Sequence, residues 1–167
     1  MANALDSISL TSQQFVMHLP RPPVSGDEIS LKVKLKDDFE RFSVNLCQER
    51  TEGNHHQAEA DRIVYHFGLL SERLTGTDSC AVLQNHKNSR WSDLGSVSSD
   101  EGFCSFPFLY LIFRFQIEGI KVFVDDTQHS PDYEHDTEFP IETIRTVELW
   151  DDLDRIEEIT LRYAERS

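Results

Sequence analysis

The sequence is poor in positive charge, with 16 Lys and Arg residues against 30 Asp and Glu and a formal net charge of −14. Much of the acidic excess lies between Asp125 and Glu158, where Arg145 and Arg155 are the only Lys or Arg residues. Nucleic acids and anionic membranes bind through clustered Lys and Arg, so both are excluded as direct partners. A basic partner protein suits this surface, although a solvated acidic face that serves only solubility is the commoner explanation.

Long apolar stretches are also missing. No segment has the roughly 18 consecutive apolar residues of a membrane span. The first residues, MANALDSISLTS, lack the basic and apolar segments of a secretory signal. We therefore expect no membrane insertion and a cytoplasmic location, with the nucleus as an alternative.

Cysteine is scarce, and the spacing of the cysteines does not match a metal site. The chain contains only Cys47, Cys80 and Cys104, an odd number without CxxC or mixed Cys/His ligand spacing. This pattern predicts reduced thiols rather than a disulfide framework or a zinc site. Reduced thiols agree with a cytoplasmic location.

Short runs of alternating apolar and polar residues indicate β-strands, because a strand directs successive side chains to opposite faces. The 11 Phe, 4 Tyr and 2 Trp residues also favour strands. One face of each strand is solvated, which indicates antiparallel sheets in a sandwich or jelly roll. The predicted strands lie within 29–36, 42–47, 63–67, 81–85, 113–117 and 120–124.

The C-terminal segment allows two interpretations. Leu149, Leu153, Ile156 and Leu161 have spacings that a helix could use. The β-branched residues in IEEITLRY instead favour a turn followed by a final strand, which we prefer. The length of 167 residues fits one domain, and we assign residues 1–14 to a flexible tail and 15–165 to the domain.

Five fragments resemble the galectin family in order and spacing. They are FERFSVNLCQ, RIVYHF, VLQN followed after five residues by Trp91, FCSFPF, and IKVFVDDTQHSPDYEH. The resemblance covers residues 15–163, nearly the whole chain. It implies an all-β, two-sheet antiparallel jelly-roll sandwich with sheets of five and six strands, whose concave sheet holds a galactoside in relatives.

Three residues of the sugar site match the family pattern. A galactose ring presents an apolar patch to an aromatic side chain and hydroxyl groups to a His, Asn, Arg and Glu network. The resemblance assigns the stacking tryptophan to Trp91, the histidine to His66 and the asparagine of the next strand to Asn85. These three residues are the predicted carbohydrate contacts.

Four other positions depart from that pattern. Gly68 stands where the family has an asparagine, Leu70 and Ser96 where it has arginines, and Leu94 where it has a glutamate. Each lost hydrogen bond removes about 1–3 kcal/mol, and sugar affinities are small at the outset. We therefore expect that ordinary β-galactoside binding has been lost.

Two functions remain open. The first is a binding module that serves protein–protein interaction. The alternative is a lectin for a noncanonical glycan, bound through His66, Asn85 and Trp91, with Arg73 or Arg90 in the vacated arginine position and Asp93 replacing the acid. The resemblance also allows a homodimer, and export without a signal peptide.

Each predicted contact residue has an ordinary structural explanation as well. The histidine could be a surface or hydrogen-bonded residue of a sheet, and the tryptophan could pack against the sheet instead of facing solvent. The asparagine, beside the turn-rich NHKNS, could begin the turn through its side chain.

Catalysis and metal binding are not indicated, and we expect no cofactor. No HxH or HExxH spacing, nucleophile elbow or phosphate loop is present. The pairs Asp125-Asp126 and Asp151-Asp152 fall in turns, where Asp is suited to local backbone hydrogen bonds. The metal ligands considered and set aside are His55, His56, His129 and His135, with Asp132 or Asp136.

Overall fold

The computed structural model describes residues 12–50, 59–72, 79–100 and 107–165. Within these ranges, twelve strands form two antiparallel sheets, and the chain also contains one 3₁₀ turn. The prediction of an all-β, two-sheet sandwich is confirmed. The 3₁₀ turn spans Ile141–Thr143.

The first sheet has seven strands, one more than the resemblance implied. Its order is β1-β11-β3-β4-β5-β6, and β7 also pairs with β5. The short strands β6 and β7 both lie along the same edge, because β6 pairs with the end of β5 and β7 with its beginning. The bounds are β1 Gln13–His18, β3 Arg41–Cys47, β4 Arg62–Ser71, β5 Cys80–Asn88, β6 Arg90–Trp91, β7 Ser96–Asp100 and β11 Thr146–Asp151.

The second sheet has five strands, as the resemblance implied. Its order is β10-β9-β8-β2-β12. The bounds are β2 Glu28–Leu35, β8 Phe108–Gln116, β9 Gly119–Val124, β10 Tyr133–Asp136 and β12 Leu153–Arg162. The preferred interpretation of the C-terminal segment, a turn followed by a final strand, is therefore correct.

The core lies between the two sheets and follows the alternation in the sequence. Along β2 the apolar residues of the alternating pattern are buried, whereas the intervening Ser30, Lys32 and Lys34 are half-buried. Aromatic rings from both sheets meet in the core, where Tyr65 and Phe67 each lie edge to face with Phe113. Burial of such rings contributes more apolar area per residue than burial of aliphatic side chains.

The C-terminal end of the domain is tied to the segment that precedes β2. Asp27 accepts hydrogen bonds from the amides of Val24 and Ala164, at 3.0 and 2.7 Å, and its side chain is 5 % exposed. β1 begins at Gln13, two residues before the predicted start of the domain, and residues 1–11 lie outside the described residues.

The cysteines differ from the prediction of three reduced thiols. Cys80 is disulfide-bonded, whereas Cys47 is a free thiol. Cys104 lies outside the described residues. Burial, with the nearby carboxylate of Glu148, raises the pKa of the Cys47 thiol, so this thiol is unreactive. In the described part of the chain, no helix has the length and hydropathy to cross a membrane.

Candidate functional site

A row of polar side chains crosses the outer face of the seven-stranded sheet. Residues opposite each other on neighbouring antiparallel strands project from the same face. Glu148 of β11 lies opposite Asn45 of β3. Asn45 lies opposite His66 of β4, which in turn lies opposite Asn85 of β5. This polar row brings two predicted contact residues together and adds Asn45 and Glu148, to which the sequence analysis assigned no role.

His66 is held in one orientation and one tautomer. Its Nδ1 lies 2.6 Å from Asn45 Oδ1, and because an amide oxygen only accepts, Nδ1 carries the proton and donates it. Desolvation by burial lowers the pKa of His66 from 6.5 to about 4, so the ring is neutral at physiological pH. Its second nitrogen, Nε2, then offers a ligand a hydrogen-bond acceptor.

Trp91 presents an open aromatic ring beside His66. The two ring centroids are 4.9 Å apart at an interplanar angle of 64°. The indole is 40 % exposed, so it faces solvent rather than packing against the sheet. It lies on a hairpin between β5 and β6 in which Ser89 has φ 63°, and Lys87 Nζ is 5.6 Å from its ring centroid. An exposed ring in this position can support the apolar face of a ligand.

Asn85 anchors the loop that follows Trp91. Its Nδ2 donates to the carbonyl of Ser92 at 3.1 Å, and its Oδ1 accepts from the amide of His86 at 2.8 Å. The loop packs so closely that a Cβ added to Gly95 would lie 2.6 Å from Asn85 Nδ2. These contacts support the alternative that Asn85 serves the turn through its side chain. A ligand can reach only one remaining hydrogen and one remaining lone pair of the amide.

The four positions at which we predicted departures from the family pattern lie beside the polar row. Their side chains bring few polar groups to this surface. Leu70 and Leu94 are 41 % and 75 % exposed, and Ser96 is exposed. Gly68 has a steric role: a Cβ at this position would lie 2.8 Å from His66 Nε2. A larger residue at position 68 would therefore overlap with the His66 imidazole and displace it.

A cavity of about 390 Å³ is lined by both His66 and Trp91 and is within the size range of small-ligand sites. We call it the Trp91 groove. Asp93 lines it, whereas Arg90 is exposed on β6 and does not. Arg73, the predicted substitute for the lost arginine, lies outside the described residues. The lining residues are His66, Leu83, Gln84, Asn85, Trp91, Ser92, Asp93, Gly95, Ser96 and Val97.

A buried ion pair closes the other end of the polar row. Arg50 Nη2 lies 2.7 Å from Glu148 Oε1, and Trp150 Nε1 donates to the same oxygen at 3.1 Å. The Glu148 side chain is fully buried. The sequence analysis did not identify this cluster, although a Glu between the apolar Val147 and Leu149 of a strand signals a carboxylate that needs a partner.

The residues considered for metal binding or catalysis have other contacts. Among the described residues, no group of three or more His, Cys, Asp or Glu side chains could hold a metal ion. His129 lies 3.1 Å from Asp126 and 2.8 Å from Asp132, and these hydrogen bonds raise the pKa of His129. Asp126 Oδ1 accepts from the amide of Gln128, which is the local turn role that we predicted. Asp152 Oδ2 instead accepts from the amides of residues 40 and 41, which are distant in sequence. His55 and His56 lie outside the described residues.

The outer face of the seven-stranded sheet carries a neutral histidine, an exposed tryptophan and a shallow cavity. A jelly-roll sandwich with these groups has the features of a carbohydrate-binding lectin domain. The family model of the galactoside-binding lectins matches residues 14–161. The chain belongs to this family. No curated protein sequence matches the chain.

Solved galectin structures share the fold at low sequence identity. A toad ovary galectin in complex with N-acetylgalactose is 15 % identical with a TM-score of 0.68, over 89 % of this chain and 98 % of that one. A variant of human galectin-16 is 14 % identical with a TM-score of 0.67, over 90 % and 95 % of the two chains. Sheep galectin-11 in complex with glycerol is 13 % identical with a TM-score of 0.64, over 88 % and 96 %.

Proposed function

We propose that this chain is a galectin-fold binding module that has lost ordinary β-galactoside binding and uses the Trp91 groove for protein–protein interaction. One observation carries the proposal. The positions that supply the charged network in the family hold Gly68, Leu70, Leu94 and Ser96, and two of these are exposed leucines.

The magnitude of the loss supports this conclusion. A sugar hydroxyl that leaves water without gaining a partner costs about 1–3 kcal/mol. A millimolar ligand binds with only about 4 kcal/mol, so two or three such losses remove measurable affinity. Asn85 does not compensate, because Ser92 and His86 already occupy half of its hydrogen-bonding capacity.

The groove has features that suit a protein partner. Trp91 and Val97 line the groove with 40 % and 68 % exposure. Leu70 and Leu94 do not line it, but they are also exposed apolar side chains, at 41 % and 75 %. Exposed aromatic and aliphatic groups of this kind anchor interfaces when a partner excludes water from them. The net charge of −14 favours a basic partner, which it would attract over a distance.

Calorimetric titration with lactose and N-acetyllactosamine tests the loss of galactoside binding. We expect no heat beyond dilution, with a sugar-binding galectin as the positive control. Submillimolar binding that Trp91→Ala abolishes would show that the groove still accepts these sugars.

Quantitative affinity capture from native extract tests the protein-binding role. The wild-type domain is compared with Trp91→Ala and with Ile117→Ala, a matched control because Ile117 is 78 % exposed in the turn between β8 and β9. Partners of the groove should be lost from Trp91→Ala and kept by Ile117→Ala. Equal capture by all three proteins would contradict the proposed use of the groove.

The alternative function is recognition of a noncanonical glycan. The favouring observation is the arrangement of His66 Nε2 and the Trp91 ring on one cavity, which can bind a hydroxyl group and an apolar sugar face together. Asn85 would contribute its one remaining hydrogen, and Arg73 would have to approach from outside the described residues. Signals on a glycan array that disappear with Trp91→Ala would favour this function over protein binding.

Self-association is a further proposal that follows from the open sheet edges. β1 and β12 end the two sheets, and neither has a second neighbour among the described strands. The β12 edge carries Asp154, Arg155 and Glu157, charges of both signs that allow selective rather than indiscriminate pairing. A concentration-dependent dimer in equilibrium sedimentation would support a homodimer, and a monomer throughout the micromolar range would oppose it.

We propose an extracellular location over the cytoplasmic location that we expected. The disulfide at Cys80 is the supporting feature, because disulfides persist in oxidising surroundings. Detection of the protein in the medium of intact cells tests this location.

A further inference from the structure

Two histidines meet between the sheets, on the core side of the strand that borders the Trp91 groove. His86 Nδ1 of β5 lies 2.9 Å from His135 Nε2 of β10, and the ring centroids are 5.1 Å apart. The residues are only 3 % and 6 % exposed. β5 and β10 belong to different sheets, so this hydrogen bond joins the two layers of the sandwich.

The backbone of His86 holds the loop that carries Trp91. The His86 carbonyl accepts from the amide of Ser92 at 3.0 Å, and its amide donates to Asn85 Oδ1. Asn85 in turn binds the Ser92 carbonyl. A displacement of His86 would therefore pass directly to Ser92, the residue next to Trp91.

The surroundings of the histidine pair contain few charges. A second link between the sheets runs from Tyr65 Oη to Gln84 Oε1 at 2.7 Å, and from Gln84 Nε2 to the carbonyl of Glu134 at 3.2 Å. Both of these side chains are uncharged, and the Tyr65 ring lies 5.8 Å from the ring of His135.

The neighbouring charges come from the strand and loop of the second sheet. The carboxylates that act on the pair belong to Glu138, which faces His86, and Asp136, which follows His135. On the side of His86, the Phe139 ring also lies within 6.5 Å. The pair is thus enclosed by aromatic and amide groups, with two carboxylates at its edge.

The hydrogen bond between the rings depends on protonation. One nitrogen must donate and the other accept, so each ring can be neutral, or one ring can carry an extra proton. When both rings are protonated, two N–H groups face each other across 2.9 Å and the contact becomes repulsive. Proton uptake also places positive charge in a buried site, which costs free energy.

We propose that the His86–His135 pair is an acid-sensitive latch, which fixes the Trp91 loop at neutral pH and releases the loop when both rings are protonated. The proposal rests on the proposed function in one respect, that the Trp91 groove is the binding site. If the Trp91 groove is the binding site, the domain binds its ligand at neutral pH and releases it in acidic surroundings.

The direction of the pH dependence follows from burial. Desolvation lowers the pKa of His86, and the Glu138 carboxylate opposes this in part. Desolvation and the neighbouring His86 lower the pKa of His135, against the opposing effect of Asp136. The unfolded or opened state therefore binds protons more readily. The latch is fully closed above the ordinary histidine pKa of about 6.5 and opens as the pH falls through the lower pKa values of the folded state.

The test uses ligand-free protein labelled with 5-fluorotryptophan. ¹⁹F NMR then reports Trp91 and Trp150 separately, and Trp150 on β11 serves as an internal control. As the pH falls below about 6.5, the Trp91 signal should shift or broaden while the Trp150 signal stays in place. The doubly substituted protein His86→Gln/His135→Gln keeps an amide hydrogen bond that cannot titrate, so its Trp91 signal should remain constant.

The latch is overturned if the wild type and the double variant show the same Trp91 transition, or if the wild-type Trp91 signal does not change while the ring nitrogens of His86 and His135 titrate. If the double variant does not fold, ¹⁵N NMR of the wild-type imidazoles decides: the ring nitrogens of His86 and His135 must titrate with the same midpoint as the Trp91 shift. A transition at about pH 4 that the wild type and the double variant share would instead follow His66, which contacts Trp91 directly. Because no ligand is present, failure of the latch leaves the proposed binding function standing, and failure of ligand binding leaves the latch testable.

Discussion

The buried, neutral state of His66 makes a quantitative prediction about stability. The pKa of this histidine is about 4 in the folded protein and about 6.5 in the unfolded chain. Between these values the unfolded state binds more protons, so stability is present above about pH 6.5 and lost as the pH falls to about 4. Each pH unit corresponds to about 1.4 kcal/mol, which gives at most about 3.4 kcal/mol for the full interval. The ring is half-buried, so we expect about 2–3 kcal/mol.

The assay compares urea unfolding of the wild-type protein and of His66→Gln at a series of pH values. The glutamine can still donate to Asn45 but cannot titrate, and the carboxylates common to both proteins cancel in the difference. The free energy of unfolding of the wild type relative to the variant should therefore fall by about 2–3 kcal/mol between pH values of about 7 and about 4. A difference that is independent of pH would refute the assignment of a neutral, desolvated imidazole.

Three further predictions concern the polar row and the groove. Glu148→Ala should lower the free energy of unfolding by about 3–5 kcal/mol, because it removes the buried carboxylate that pairs with Arg50 and accepts from the Trp150 indole; a loss below about 1 kcal/mol in urea titration would contradict this. Gly68→Asn should displace the imidazole of the neighbouring histidine and raise its pKa, as NMR titration can measure; an unchanged pKa would mean that the space is not contested. The triple change Leu70→Arg/Leu94→Glu/Ser96→Arg should restore lactose binding with a Kd on the order of 1 mM, and calorimetry without heat would show that further residues are missing.

The fold was predictable because its signals are local. Alternation in the segment that became β2 fixes which side chains face the core, and β-branched residues in IEEITLRY favour a strand over a helix. The division of one sheet edge between β6 and β7 was not predictable, since the two strands have only two and five residues. Strands this short carry too few alternating positions to show a pattern.

The site was predictable only in part, for a related reason. His66, Asn85 and Trp91 could be named from motifs, and the structure groups them on one cavity. The partner of His66 on β3 could not be named, because strand register decides which residues lie opposite one another. The same holds for Arg50 and Glu148, which are far apart in sequence and adjacent in space. The disulfide at Cys80 was missed because an odd number of cysteines says nothing about which of them pair.

The proposed loss of the charged network need not destabilise the fold, because the polar groups of the groove and of the polar row have partners within the protein. Glu148 is paired with Arg50, His66 donates to Asn45, and Asn85 is bound to the loop that follows Trp91. All of these contacts are made within the protein, so these groups leave no buried charge that needs a ligand as its partner. What remains open to a partner is chiefly the apolar surface around Trp91, together with one acceptor on His66, half of the Asn85 amide and the exposed Asp93. Apolar surface gains free energy from any partner that excludes water, whereas hydroxyl recognition requires matched polar groups. The substitutions thus favour a broad apolar contact over selection among sugar epimers.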